Sequence, residues 1–351
     1  MSKHQLGQFM TTRQEYILQN LGIPLDITHI VEPFSGNGDL LNFIKEQDRY
    51  TIELYDIQPQ RPDVVQQDTI ANPPSYVGKF VLTNPPYLAR NKCQQKGLYD
   101  KYDVNDLYKC FLAELLTANA PNGGIVVVPL NFWSSVRRAD IELRKRFLEK
   151  YNIVHLNIFE EQVFDDTTTT ICSFQFALRM LCPNIAIPIA IYPSQLQLSV
   201  LLSRDNNYTI GGEIYNLEPN PLYSITRITR KNYTTDGLTN ILAKCIDDSA
   251  DNTIQLSMAD VYVDETPNQS ARTYATLVIQ PPISKKMEEH IIRDFNHLLN
   301  AYREKYHSLF LSNYRESKDI ARKRISFDLV YQIVGHILLK THSWNPCKSP
   351  I

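Results

Sequence analysis

The chain has 351 residues, with 36 Lys+Arg against 38 Asp+Glu and a formal net charge of -2, which excludes a uniformly basic nucleic-acid coat and makes any phosphate-binding face a local one. That length holds a catalytic domain of roughly 200 residues and a second of about 150, because single cores seldom grow past ~250–300 residues. The six cysteines are scattered without a CxxC pair, residues 1–12 are polar, and no long apolar run occurs, so no metal, disulfide framework, signal peptide or membrane partner is expected of what reads as a soluble intracellular protein.

From residue 29 onward, short apolar runs alternate with amphipathic stretches. Strands are predicted at 29–32, 50–56, 79–83, 124–129 and 154–159. Apolar strands separated by helical segments indicate an α/β, doubly wound, mostly parallel sheet. Leu107, Phe111, Leu112, Leu115 and Leu116 share one face of a predicted helix over 105–118, which stops before Pro121 and the Asn122-Gly123-Gly124 turn. A late strand at 170–178 follows its predecessor closely enough to be its hairpin partner. Beyond residue 180 the sequence turns Pro-, Asn- and Tyr-rich, then helical over 284–311 and 325–339. The spacing places a domain boundary within 180–220, with residues 1–200 as the catalytic domain and 201–351 as a second domain of underived architecture.

The first chemical signal is Glu32-Pro33-Phe34-Ser35-Gly36-Asn37-Gly38, directly after an apolar strand and before a predicted amphipathic helix. Gly36 and Gly38 allow close approach of backbone to a ligand, although such a glycine pair is equally a tight turn. Glu32 is positioned to pair with the cationic amino group of an amino-acid-bearing cofactor. Asp56 ends the second strand about 20 residues past the glycines, where an acidic residue meets ribose hydroxyls in nucleotide-binding folds. Asp68 ends the next short strand and would face the adenine end of that ligand, unless it is a solvated loop residue.

The most informative segment is Lys79-Phe-Val-Leu-Thr-Asn84-Pro85-Pro86-Tyr87. An amine conjugated to an aromatic ring is a poor nucleophile because its lone pair is delocalised. Two acceptors on its hydrogens, the Asn84 side-chain oxygen and the Pro85 carbonyl, would draw that nitrogen towards tetrahedral geometry. Pro85 and Pro86 stiffen the turn and remove N–H donors, and Tyr87 supplies a flat face for a base. Asn72-Pro73-Pro74-Ser75 repeats the first three residues without the strand or the aromatic, and reads as a plain loop.

These pieces, with Leu6-Gly7-Gln8-Phe9-Met10-Thr11, Asp106-Leu-Tyr-Lys-Cys-Phe111, Gly124–Phe132 and Phe159–Phe176, resemble the gamma-arrangement N6-adenine DNA methyltransferases in family order across residues 6–178. The resemblance implies a seven-stranded, Rossmann-like sheet with its last strand antiparallel and a C-terminal target-recognition domain. It further implies S-adenosyl-L-methionine as cofactor, double-stranded DNA as partner, and Thr11 and Pro33 among the cofactor contacts. Met10 and Thr12 depart from the family pattern, in which an aromatic or acidic residue and a proline are usual. Phe164 falls where the family carries an aromatic against the flipped base, and reads equally as a core Phe.

Arg227, Arg230 and Lys231, and further on Arg315, Lys318, Arg322, Lys323 and Arg324, interleave with Tyr223, Tyr233 and Tyr314. They are either solvated faces or contacts that hold a duplex while one base is extracted. An RNA methyltransferase, a protein-glutamine methyltransferase and a non-catalytic binder on the same fold remain alternatives, and a companion restriction endonuclease stays open.

Overall fold

The computed structural model describes residues 11–94, 96–165, 167–179, 186–247, 253–263, 273–316 and 321–343. The chain forms two compact units, one of Met1–Ser203 with Arg315–Ala321 and the other of Arg204–Tyr314 with Arg322–Ile351. In the first, α1 (Gln14–Ile17) precedes β1 (His29–Glu32), β2 (Thr51–Asp56), β3 (Val65–Gln66) and β4 (Phe80–Thr83). Helices α2 (Gly97–Tyr102) and α3 (Leu107–Glu114) lead to β5 (Gly123–Pro129). Then come α4 (Asn131–Ser134), α5 (Arg138–Lys150), β6 (Tyr151–Phe159), β7 (Ile171–Leu178), β8 (Ile187–Tyr192) and β9 (Leu196–Val200).

All nine strands form one sheet in the order β3-β2-β1-β4-β5-β7-β6-β8-β9. β1 pairs in parallel with β2 and β4, and β4 with β5. β4 and β5 are buried along their whole length, as parallel strands covered on both faces are. β7 enters antiparallel between β5 and β6, and is the hairpin partner of β6 that its proximity suggested.

The expected seven strands account for the order from β3 through β6, and the sheet is extended by two more. β8 runs parallel to β6, and β9 antiparallel to β8. Pro188 makes this segment read as irregular in the sequence. It is tolerated because the β6–β8 register begins at Leu156 and Ile189, one residue past the proline, which cannot donate to a ladder.

The amphipathic helix predicted after Gly38 is a short 3-10 turn, Asp39–Phe43. Ile44 leaves it in extended conformation and Glu46 turns left-handed at φ 55°. This path drops Leu40, Leu41 and Ile44 into the core beside Ile17, Leu18, Ile30 and Leu54, and burial of that apolar surface outweighs the few helical hydrogen bonds forgone.

From β1 the chain steps to β2 and β3 on one side, then returns to β4 on the other. The carboxyl ends of β1 and β4 thus flank a reversal of strand order, the crevice where open α/β sheets bind ligands. The segments after β1, β2 and β4 are those that carry Glu32–Gly38, Asp56 and Asn84–Tyr87.

The second unit holds an antiparallel sheet of β10 (Ser224–Arg227), β11 (Leu238–Lys244), β12 (Gln255–Met258) and β13 (Tyr274–Gln280), in the order β10-β13-β11-β12. Helix α6 (Lys285–Tyr306) begins at Ser284, whose hydroxyl accepts from the Met287 N–H, a standard N-cap. Asn296 on α6 accepts from Leu256 N–H and donates to Leu256 C=O, both at 2.9 Å, which satisfies backbone groups on the edge strand β12. A two-stranded ribbon, β14 (Ser312–Glu316) and β15 (Ala321–Arg324), precedes α7 (Phe327–Ser343).

Candidate active site

Glu32 closes β1 and is 2 % exposed. Among the described residues its Oε2 has no hydrogen-bond partner. Burial pushes its carboxyl well above the usual range, with Asp39 and Asp56 adding repulsion and Arg61 opposing it. A lone buried carboxylate is costly, so the arrangement favours a cationic ligand. The Ser35 hydroxyl is likewise buried without a partner among the described residues.

Gly38 adopts φ 80°, and a Cβ there would come 2.8 Å from Arg61 Nη1. The left-handed conformation requires glycine, whereas the Arg61 side chain could shift to make room. Gly36, at φ 51°, donates its N–H to Asp56 Oδ2 at 2.9 Å, while Gln58 N–H donates to Oδ1 at 2.7 Å. Asp56 at the end of β2 therefore braces the glycine loop, a contact that spacing alone did not reveal. Pro33 is buried, and its carbonyl accepts from the Thr69 hydroxyl at 2.8 Å, joining this loop to the one after β3. Asp68 lies partly exposed in that second loop and caps a turn, its Oδ1 accepting from Ile70 N–H at 3.2 Å and Ala71 N–H at 3.1 Å.

Asn84, Pro85, Pro86 and Tyr87 follow β4. The Tyr87 hydroxyl reaches Asn84 Oδ1 at 2.5 Å and the Val127 carbonyl of β5 at 2.8 Å. Burial holds the Tyr87 phenol well above its ordinary range, so it remains a donor at any working pH. On its other side, Asn84 donates from Nδ2 to Thr11 Oγ1 at 3.0 Å. Pro85 is buried, and Asn84, Pro86 and Tyr87 are half-buried.

The segment that carries Thr11 is held from several directions. Arg13 donates to the Gln162 carbonyl at 3.4 Å and lies over the Tyr16 ring, whose hydroxyl bonds Glu161. Ser173 donates to the Ile17 carbonyl at 2.5 Å, and Asn157 to the Gln19 carbonyl at 2.6 Å. Residues 6–10 of the N-terminal motif lie outside the described residues.

Helix α3 stands against the same loop. Ala89 and Asp106 form an antiparallel bridge, and Leu107 N–H donates to Leu88 C=O at 3.2 Å. Tyr108 meets Tyr87 edge-on at 6.0 Å, and Phe111 meets Phe34 of the glycine loop edge-on at 5.2 Å. Burial pushes the Asp106 carboxyl up to about 6 despite the nearby Lys109 ammonium. Lys109, also buried, is paired with Asp140 at 2.6 Å. Asp106 directly before an apolar helix reads as a cap, and its burial beside Asn84–Tyr87 was not visible in the sequence.

Phe164 is 3 % exposed. It sits in the cluster formed with Phe159, Ile171 and Tyr192, against which Tyr87 packs.

In the second unit, Arg227 lays its guanidinium over the Phe327 ring at 4.2 Å. Arg230 and Lys231 are exposed on a single turn that Thr229 and Asn232 close with a reciprocal capping box. On β15, Arg322 is exposed, and Lys323 and Arg324 are partly exposed. The strand is fixed by the hydrogen bonds of Lys323 C=O and Ile325 N–H to Asp247 and Cys245. Lys318 lies outside the described residues. Among the described residues, no cluster of metal-binding side chains occurs and no helix is long and apolar enough to cross a membrane.

Residues 44–164 match the family described as Eco57I restriction-modification methylase. Similar solved structures include the methyltransferase subunit of the type I restriction-modification system from Streptococcus thermophilus, at 14% identity and TM-score 0.38 over 59% of this chain and 50% of that one. The type IIG restriction endonuclease BpuSI aligns at 12% identity and TM-score 0.40 over 68% of this chain and 37% of its own. A nuclease-deletion mutant of the Type ISP enzyme LlaGI, in complex with a DNA substrate mimic, aligns at 12% and 0.40 over 68% and 34%. The chain thus spans half or less of these relatives. No curated protein matches it.

Proposed function

We propose that this chain, whose residues 44–164 match the restriction-modification methylase family, transfers the methyl group of S-adenosyl-L-methionine to the N6 of an adenine extruded from duplex DNA. The observation that carries the reading is the amide of Asn84, held between Tyr87 and Thr11 at the strand-order reversal where, among the described residues, the buried Oε2 of Glu32 has no hydrogen-bond partner. The cofactor, when bound, supplies an electrophilic sulfonium methyl and leaves as the thioether.

The residues present fit that cofactor. Glu32 would receive its ammonium group, because a cation offsets the carboxylate's desolvation. Gly36 and Gly38 let the backbone approach it, and Asp56, while bracing Gly36, would take the ribose hydroxyls. Asp68 and Pro33 line the loops joined through Thr69, with Asp68 towards the adenine end. Phe34, in the same loop as the glycines, is backed edge-on by the buried Phe111.

At the reacting end, Asn84 Oδ1 and the Pro85 carbonyl accept the two hydrogens of the target amine. An amide oxygen accepts two hydrogen bonds, so the one from Tyr87 and one from substrate are compatible. As the N–C bond forms and the C–S bond breaks, the nitrogen becomes cationic. The same acceptors stabilise that charge until a proton leaves to water. The ring of Tyr87 stacks on the base, backed by the cluster that contains Phe164. Extrusion costs a few kcal/mol, and backbone contacts from Arg227, Arg230, Lys231, Arg322, Lys323 and Arg324 would offset it.

The test is transfer of a labelled methyl group to unmethylated duplex DNA, set beside RNA and protein acceptors, with the modified nucleoside then identified. Label in N6-methyladenine from DNA is expected. Label in RNA or in protein glutamine, or none with a cofactor that binds, would sink this reading.

A further inference from the structure

We infer that Thr11 is a positioning residue that decides which end of the Asn84 amide faces the target amine, an inference that rests on the function proposed above. The two ends of an amide have nearly the same shape and opposite hydrogen-bonding character. With Oδ1 towards Tyr87, Asn84 can accept from a substrate N–H. With the amide turned over, it presents donors to a group that is itself a donor, and the chemistry stops.

Tyr87 alone does not set the orientation. Its hydroxyl has one proton and, among the described residues, reaches both Asn84 Oδ1 at 2.5 Å and Val127 C=O at 2.8 Å. If that proton goes to Val127, the phenolic oxygen is an acceptor and tolerates a turned-over amide. Thr11 breaks the tie from the opposite side by accepting from Nδ2 at 3.0 Å. The threonine is 4 % exposed, so an Nδ2 hydrogen directed at it has little access to water and loses its bond in either of two ways, by rotation or by removal of the acceptor.

The position of Thr11 is not left to the threonine. Two residues on, Arg13 is tied to Gln162, and the next turn is anchored by Ser173 on Ile17 and by Asn157 on Gln19. The hydrogen bond to Asn84 spans 73 residues of sequence, and its geometry comes from β6 and β7, which hold the segment in place. A hydroxyl that accepts from Asn84 keeps its own proton to donate. The same threonine can therefore donate to a cofactor carboxylate, the contact expected of it, without releasing the amide.

The experiment compares Thr11→Val, which keeps the shape and removes the acceptor, with Thr11→Ser, which keeps the acceptor. In protein labelled with ¹⁵N-asparagine, the Asn84 side-chain amide signals are identified by their loss in Asn84→Ala. Thr11→Val should shift those signals and speed their exchange with solvent, and Thr11→Ser should leave them near the wild-type position. In single-turnover assays, Thr11→Val should slow methyl transfer by about 10–100-fold, with recovery in Thr11→Ser. With cofactor saturating, so that any loss of its own contact with Thr11 is not read, it should add no further loss in the Asn84→Ala background, because residues that act through one another are non-additive. Unchanged Asn84 amide signals in Thr11→Val, or a full additional loss on top of Asn84→Ala, would overturn the assignment. If wild-type protein methylated no DNA while the amide signals moved as described, the role of Thr11 would stand and the choice of substrate would be wrong.

Discussion

The Tyr87 hydroxyl lies 2.5 Å from Asn84 Oδ1, so the residue read as a stacking platform is also a hydrogen-bond partner of the residue read as the acceptor. Ring and hydroxyl then make separable contributions. Tyr87→Phe keeps the face and removes the donor, and a typical net hydrogen bond of about 1 kcal/mol sets the expectation at roughly a fivefold to tenfold loss in the methyl-transfer step. Tyr87→Ala should lose base binding as well, by about 1–3 kcal/mol. A fluorescent base analogue at the target position separates them. Its signal on extrusion should survive in Tyr87→Phe and fall in Tyr87→Ala, and equal behaviour of the two variants would dissolve the distinction.

Asn84→Ala should lower the single-turnover rate by about 10²–10³, the usual effect of deleting one preorganised transition-state hydrogen bond. Cofactor affinity, measured by calorimetry, should stay within a few-fold of wild type. An unchanged rate would remove Asn84 from the chemistry.

Glu32 predicts a pH dependence. Its folded-state carboxyl is raised above its ordinary value of 4.5 by burial, so the native state retains a proton that the unfolded state gives up. Stability from this group is therefore full below about 4.5 and is lost as pH rises towards the raised value. A cationic ligand favours the ionised form, so cofactor affinity should rise with pH over the same interval and level off above it. Glu32→Gln should flatten that slope, weaken cofactor binding by about 1.5–3 kcal/mol and raise the melting temperature of the ligand-free protein at pH values above the raised carboxyl's range, where an ionised Glu32 would be least tolerated. A lower melting temperature with an intact pH slope would show that Glu32 is not the cation's partner.

Asp56→Ala removes a carboxylate that holds Gly36 N–H and Gln58 N–H. It should weaken cofactor binding by about 1.5–3 kcal/mol, as the loss of a charged hydrogen-bond acceptor does, and it should also loosen the glycine loop. Hydrogen exchange at Gly36 should accelerate in the absence of cofactor. Unchanged affinity in a folded variant would remove Asp56 from the binding site, and unchanged exchange would remove it as the brace.

Neutralising Arg322, Lys323 and Arg324 together should lower the dependence of DNA affinity on salt, by a slope of about 0.9 for each phosphate that is no longer neutralised. Cofactor affinity should not move. An unaltered slope would identify β15 as a solvated ribbon edge.

The core of the sheet is legible in the sequence because burial on both faces demands continuous apolar runs. Phe80–Thr83 and Gly123–Pro129 have no other reading, and the motifs at their ends follow from where a parallel strand stops. β8 is illegible because Pro188 contradicts a strand unless its neighbour's register begins one residue later, and register is a property of two strands. The 3-10 turn after Gly38 reads as a helix because apolar spacing reports which residues are buried and does not report the path by which the chain buries them.

The same division runs through the site. Sequence by itself determined which groups are present and in what order along the strands: Glu32 before two glycines, Asp56 after the second strand, Asn84-Pro85-Pro86-Tyr87 after the fourth. Each of these rests on residue chemistry and local spacing, which act over a few residues. Tertiary structure alone decided that Thr11 meets Asn84 across 73 residues, that Tyr87 reaches Val127 across 40, and that Asp56 closes on Gly36 across 20. Hydrogen bonds require donor and acceptor within about 3 Å, and only the packed sheet brings residues so distant in sequence to that separation.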